Sequence, residues 1–137
     1  MSSTYFQKRV FVVDDTSFMR AGLVKQLVEL GFDKGKIFQY ETGLAAIEAF
    51  KTDFNVDIIF SDWNMPLMTG IELLKAVRTS DHPKATLPIV MITTVSEKDK
   101  VIEALKFKLS GYIIKPVDKE KLTEVVESVF GNELNEE

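Results

Sequence analysis

The chain has 137 residues, 45% of them hydrophobic and 28% charged, values ordinary for one globular domain and contrary to a disordered or membrane-spanning chain. Its net charge of -4, from 17 basic and 21 acidic residues, argues against a dominant phosphate-backbone surface, so nucleic acid is not expected as a partner. The absence of cysteine excludes disulfides and thiolate-held metals; no apolar stretch approaches the ~20 residues of a membrane span, and Met1-Ser2-Ser3-Thr4-Tyr5 has no apolar signal core, so a cytoplasmic location is expected.

Val10-Phe11-Val12-Val13 is an unbroken apolar run, the pattern of a strand buried on both faces of a parallel sheet, and it ends in Asp14-Asp15. Thr16 or Ser17 is placed to cap the next helix, whose Met19, Leu23, Leu27 and Leu30 recur at helical spacing until Gly31 stops it. Lys36-Ile37-Phe38-Gln39-Tyr40 alternates and suits an edge strand, and Gly43 opens a second helix through Leu44, Ile47 and Phe50. From Asp57 the chain enters Ile58-Ile59-Phe60-Ser61, which repeats the first pattern and delivers Asp62, followed by Trp63-Asn64-Met65-Pro66. Gly70 marks a tight turn or helix start, with Ile71, Leu74 and Val77 on one face of a third helix ending near Arg78-Thr79-Ser80. Residues 81–86 read as a loop, and its His82, the only histidine, is expected at the surface.

Leu87 to Ile92 forms a fourth buried strand, with Pro88 tolerable only near its start, and it ends in Thr93-Thr94. Ser96 with Asp99 makes a capping pair for a helix carrying Val101, Ile102 and Leu105. Gly111-Tyr112-Ile113-Ile114 is the fifth strand and runs into Lys115-Pro116. Asp118 then caps a last helix with Leu122, Val125, Val126 and Val129 facing in and Gly131 closing it. The expected organisation is one domain over 1–131 and a short acidic tail over 132–137. Strands alternating with helices through short turns predict an α/β fold: a single-domain, doubly wound, five-stranded parallel sheet with five helices.

Ligands of such sheets bind beyond the carboxyl ends of the strands. A strand-end aspartate alone is an ordinary turn residue, but here Asp14, Asp15, Asp62, Thr93 and Lys115 all fall at that end. Crowded carboxylates suit a hard cation such as Mg²⁺, which binds through one or two carboxylates plus phosphate oxygens. Lys115 supplies an opposing charge and Thr93 a hydroxyl donor. Carboxylates also act as nucleophiles in phosphoryl transfer, and Asp62 is the best candidate, the adjacent Asp14 and Asp15 being better suited as metal ligands. A small Mg²⁺-dependent phosphohydrolase is the more distant alternative, although Asn64 stands where a second acid is needed. An FMN carrier fits poorly, because Asp14-Asp15 would repel its phosphate.

Val12-Val13-Asp14-Asp15, Asp62-Trp63-Asn64-Met65-Pro66 with Gly70, Met91-Ile92-Thr93, and Gly111-Tyr112-Ile113-Ile114-Lys115-Pro116 resemble, in order and spacing, the signature blocks of response-regulator receiver domains. The likeness covers nearly the whole chain and implies the flavodoxin-like strand order 2-1-3-4-5. It further implies a two-component signalling switch, not an enzyme: a histidine kinase donates to Asp62, with Mg²⁺ held by Asp15, Asp62 and the backbone carbonyl of Asn64, and Asp14 acting largely through water. Lys115 and Thr93 would contact the phosphoryl oxygens. Thr93 would then move toward that group as Tyr112 turns inward, reshaping the surface of the fourth helix, fifth strand and fifth helix. The Lys115-Pro116 bond resembles one that is cis in the family.

Trp63 to Pro66, Met19 and the lack of an output domain resemble the stand-alone chemotaxis members. The partners so implied are a histidine kinase, an output protein such as a flagellar motor switch component, and a phosphatase, with the chain itself a monomer. A phosphorelay intermediate is the alternative. Two departures stand out: Val95, which bears on autodephosphorylation, and Lys106-Phe107-Lys108-Leu109, which bears on the partner surface.

Overall fold

The computed structural model describes residues 5–94 and 98–135. Strands and helices alternate as β1 (Arg9–Val13), α1 (Ser17–Leu30), β2 (Ile37–Tyr40), α2 (Gly43–Thr52), β3 (Val56–Asp62), α3 (Gly70–Arg78), β4 (Ile89–Thr93), α4 (Lys98–Leu105), β5 (Gly111–Ile114) and α5 (Lys119–Asn135). A single 3-10 turn, Lys34–Lys36, precedes β2. The strands form one parallel sheet in the order β2-β1-β3-β4-β5, as expected. Register sets Val13 beside Ser61 and Asp62 beside Ile92, so β1, β3 and β4 end together at one rim.

The unbroken apolar runs follow from a sheet covered on both faces. Successive side chains point to opposite sides: Phe11, Ile59 and Met91 face the cluster made with α2, α3 and α4, while Val12, Phe60 and Ile92 face the cluster made with α1 and α5. Burying each such side chain contributes about 1.5–3 kcal/mol. Trp63, Met65 and Met91 belong to the first cluster and Met68 packs on its border, so these residues serve packing.

Helix boundaries have local causes. Thr42 Oγ1 accepts from Ala45 N at 3.0 Å, and Thr69 and Glu72 form a reciprocal capping box at the start of α3. Asp118 Oδ1 accepts from Lys121 N at 2.8 Å, the expected cap of α5. Gly31 ends α1 at φ 113°, a left-handed conformation that glycine adopts without cost to a side chain.

Several expectations need correction. Thr16 occupies the N-cap of α1, but its side chain makes no capping bond. Gly131 does not close α5, which continues to Asn135 despite a glycine penalty of about 1 kcal/mol, and the buried Val126 and Phe130 hold the helix down to the residue before it. The helix therefore includes residues 132–135. Pro88 lies ahead of β4, its carbonyl accepting from Ile59 N. In α4 Val101 is buried whereas Ile102 and Leu105 are exposed. Ser96 and Val95 lie outside the described residues.

His82 is buried, contrary to the surface position expected. Its ring stacks on Phe50, with centroids 3.9 Å apart, and on Phe54 at 5.2 Å. Nδ1 accepts from Lys84 N at 2.8 Å, which leaves the proton on Nε2, 3.0 Å from the carbonyl of Asp53. The ring thus pins the α3–β4 loop to the end of α2. Arg78 performs a similar task nearby, donating to the carbonyls of Ala85, Leu87, Phe107 and Lys108. The 106–109 segment is thereby seated as a turn, with Lys108 at φ 58° and Leu109 buried.

Candidate functional site

At the rim, β1 passes its ladder on to Asp14, whose N–H donates to Tyr40 O at 3.1 Å. One Asp14 oxygen accepts from Thr16 N at 2.9 Å, and the Asp14 carbonyl accepts from Arg20 at 2.6 Å. Arg20, which no motif singles out, therefore fixes the acidic turn from one turn inside α1. β3 ends on Asp62, and the pairing continues one step further through Trp63 N to Ile92 O at 3.0 Å. The loop beyond returns so that Gly70 N donates to Trp63 O at 2.8 Å. A Cβ on Gly70 would lie 2.6 Å from the Asp62 carbonyl oxygen, so only glycine allows α3 to start this close to β3.

The three strand-end acids converge. Asp14, Asp15 and Asp62 each offer a carboxylate oxygen, all within 4.8 Å of one another, with Asp14 and Asp62 buried and Asp15 exposed. Lys115 approaches from β5, its Nζ 3.0 Å from Asp62 Oδ1. The lysine's backbone N–H donates to Thr93 O at 2.7 Å, tying the β5 exit to the end of β4. The Lys115-Pro116 peptide is cis, as expected. Thr93 is buried one position beyond the Asp62–Ile92 pair, its hydroxyl 3.4 Å from the Thr94 carbonyl. Asn64 is exposed in the turn two residues past Asp62. Tyr112, on the sheet edge, is exposed and not a core aromatic.

Burial pushes the Asp62 carboxyl above the usual carboxylate range. A hydrogen bond from Lys115 pulls the other way, Asp14's charge pushes it up again, and the balance stays upward. Burial is the main reason that the charged form is disfavoured, and the neighbouring Asp14 carboxylate adds to it. Three hard oxygen donors in mutual reach could hold a metal cation.

Comparison with known proteins bears on family and fold. The family model described as "Response regulator receiver domain" matches residues 10–127. Among curated proteins, the chain is 37% identical over 122 residues to a chemotaxis protein CheY of Pseudomonas aeruginosa, covering 89% of this chain and 95% of that one. It is 39% identical over 123 residues to chemotaxis protein CheY1 of Helicobacter pylori, covering 90% and 97% respectively. Among solved structures, chemotaxis protein CheY4 of Vibrio cholerae superposes with a TM-score of 0.77 at 31% identity, over 89% of this chain and 98% of that one.

Proposed function

The chain belongs to the response regulator receiver family, and from that premise we propose that it is a phosphorylation switch whose acceptor is Asp62. The observation that carries this reading is a buried carboxylate set among two further acids with Lys115 Nζ 3.0 Å from its Oδ1. In the proposed reaction an Asp62 oxygen attacks the phosphorus of a phosphohistidine on a histidine kinase. The P–O bond forms as the P–N bond breaks, and the imidazole nitrogen leaves with the bonding electron pair and takes up a proton. Lys115 balances charge on the phosphoryl oxygens, and the Thr93 hydroxyl donates to one of them. Asp15, Asp62 and the backbone carbonyl of Asn64 would hold Mg²⁺, with Asp14 acting largely through water, and the bound cation supplies neutralisation of the charge on the transferred group.

Readout follows from what the site touches. Thr93 and Lys115 are joined through the Lys115 N–H to Thr93 O bond, so a hydroxyl drawn toward a phosphoryl group moves the β4 and β5 exits together. Tyr112 then turns inward from its exposed position and alters the α4–β5–α5 surface, where Ile102 and Leu105 are also exposed. The chain acts by protein contact, in the cytoplasm and as a monomer. The chemotaxis names of its relatives favour a flagellar motor switch component as output, with a phosphatase resetting the switch. The alternative is a phosphorelay intermediate. Incubation with an autophosphorylated, radiolabelled histidine kinase is expected to move label to the chain, less so to Lys115→Ala. Retention of a motor switch component only by the phosphorylated form supports the motor role, onward transfer to a second histidine protein supports the relay, and absence of label on the chain overturns the acceptor reading.

A further inference from the structure

Arg20 lies in the first turn of α1, its backbone N–H donating to Thr16 O at 3.1 Å, and its half-buried side chain turns back onto the acidic rim. Nη1 donates to the Asp14 carbonyl at 2.6 Å and Nε to Gln39 Oε1 at 3.3 Å, so one guanidinium ties α1 and β2 to the turn that follows β1. The Asp14 N–H is given to Tyr40 O and its carboxylate is taken up by Thr16 N, which leaves the carbonyl as the group that Arg20 fixes. The atoms from Asp14 Cα to Asp15 Cα lie in one rigid plane, so a fixed carbonyl also fixes where Asp15 begins. Asp15 is exposed, and among the described residues its carboxylate has no hydrogen bond or ion pair. What brings it within reach of Asp62 is therefore the backbone that carries it.

Two effects of this guanidinium on a cation at the rim oppose one another. Its charge repels the cation, but a half-exposed charge is screened by water and salt and changes affinity by only about a few-fold. Groups that orient the ligands of a metal are worth about 10- to 100-fold in affinity. Positioning is the larger effect. We propose that Arg20 is a positioning residue for the cation site: by holding the Asp14–Asp15 peptide from α1 and β2, it sets the Asp15 carboxylate opposite Asp62 for a divalent cation of the Mg²⁺ type. The proposal rests on the reading of Asp15 and Asp62 as cation ligands, and adds to it a residue that touches neither the cation nor the phosphoryl group.

Titration of Mg²⁺ into the full-length, ¹⁵N-labelled chain at fixed ionic strength gives its Kd from the amide shifts of Thr16 and Trp63, the residues next to Asp15 and Asp62. Arg20→Met, which keeps the length and removes both donor and charge, should bind Mg²⁺ about ten-fold more weakly than the parent. Arg20→Lys, which keeps the charge and one donor group, should fall between them. Repulsion alone predicts the reverse, with Arg20→Met tighter than the parent. A purely structural role predicts a lower Tm in chelator with the Kd unmoved. Either result overturns the proposal. Should Arg20→Met fail to fold, Arg20→Lys decides the matter: binding about three-fold weaker supports the assignment, and affinity equal to or above that of the parent overturns it. A parent chain with no saturable response to Mg²⁺ overturns the cation reading itself and the proposal with it, whereas a parent that binds Mg²⁺ no better than Arg20→Met overturns the assignment of Arg20 alone.

Discussion

Replacing Gly70 by alanine tests how tightly the candidate acceptor is built into the fold. The added Cβ would lie 2.6 Å from the Asp62 carbonyl oxygen, 2.9 Å from Met91 Sδ and 3.1 Å from Trp63 Cα. Neither backbone neighbour has room to give: Trp63 N is bonded to Ile92 O, Trp63 O accepts from Gly70 itself, and Ser61 Oγ donates to the Asp62 carbonyl. Overpacking of this kind costs about 1–3 kcal/mol, and contact with backbone argues for the upper end. Reduced freedom of the unfolded chain returns about 0.4–1 kcal/mol, leaving a net loss of about 2 kcal/mol. For a domain of this size that lowers Tm by roughly 6–10 °C. Gly43→Ala is the milder comparison, because its Cβ would meet only the Met68 side chain, at 2.9–3.0 Å, of which Cγ and Sδ can turn away while Cβ must give slightly with its backbone. Its loss should stay under about 1 kcal/mol, well below that of Gly70→Ala. Urea titrations followed by far-ultraviolet circular dichroism measure both. Gly70→Ala as stable as the parent, or Gly43→Ala the worse of the two, would refute the packing argument.

Three further outcomes follow from named contacts. A cation that binds the folded acidic cluster and not the unfolded chain stabilises by about 2.7 kcal/mol at a hundred times its Kd; Mg²⁺ should therefore raise the Tm of the parent and leave Asp62→Asn nearly unmoved, whereas in chelator Asp62→Asn should melt higher than the parent because a carboxylate whose charged form burial disfavours is gone. Arg78→Met strips the donor from four carbonyls and should cost about 3 kcal/mol by urea denaturation, with a loss under about 0.5 kcal/mol counting against the clamp. Burial raises the Asp53 carboxyl, but the hydrogen bond from Arg9, the Asn55 and Val56 N–H groups and the Arg9 charge outweigh it and hold the group below the usual range. A depressed carboxyl gives stability that is complete above its unfolded pKa and is lost as pH falls through the folded one. The advantage of the parent over Asp53→Asn should thus shrink below about pH 4, and a gap independent of pH would contradict the pairing.

The features legible in the sequence are those with short-range or periodic signatures. Buried strands announce themselves as apolar runs because both sheet faces are covered, and the residue after each run lands at the rim, so Asp14, Asp62, Thr93 and Lys115 gather there in three dimensions. Caps such as Asp118 and the terminator Gly31 are equally local. His82 was beyond that reach because the aromatic rings that bury it come from Phe50 and Phe54, about thirty residues away and carrying no sequence signal of the pairing. Arg78 read as a helix end for the same reason, its carbonyl partners lying in two separate loops. Gly131 shows a stop signal overridden: propensity favours ending the helix, but α5, held by the buried Val126 and Phe130 just before the glycine, runs on past it. Arg20 carries no motif of its own, and its hold on the Asp14 carbonyl exists only because α1 docks beside β1.

The central claim is that Asp62 accepts a phosphoryl group, and intact mass spectrometry tests it most directly. After incubation with a small phosphodonor and Mg²⁺, the parent chain should gain the mass of one phosphoryl group and Asp62→Asn should gain none. A parent chain that stays unmodified, or an Asp62→Asn protein labelled at a comparable rate, would contradict it.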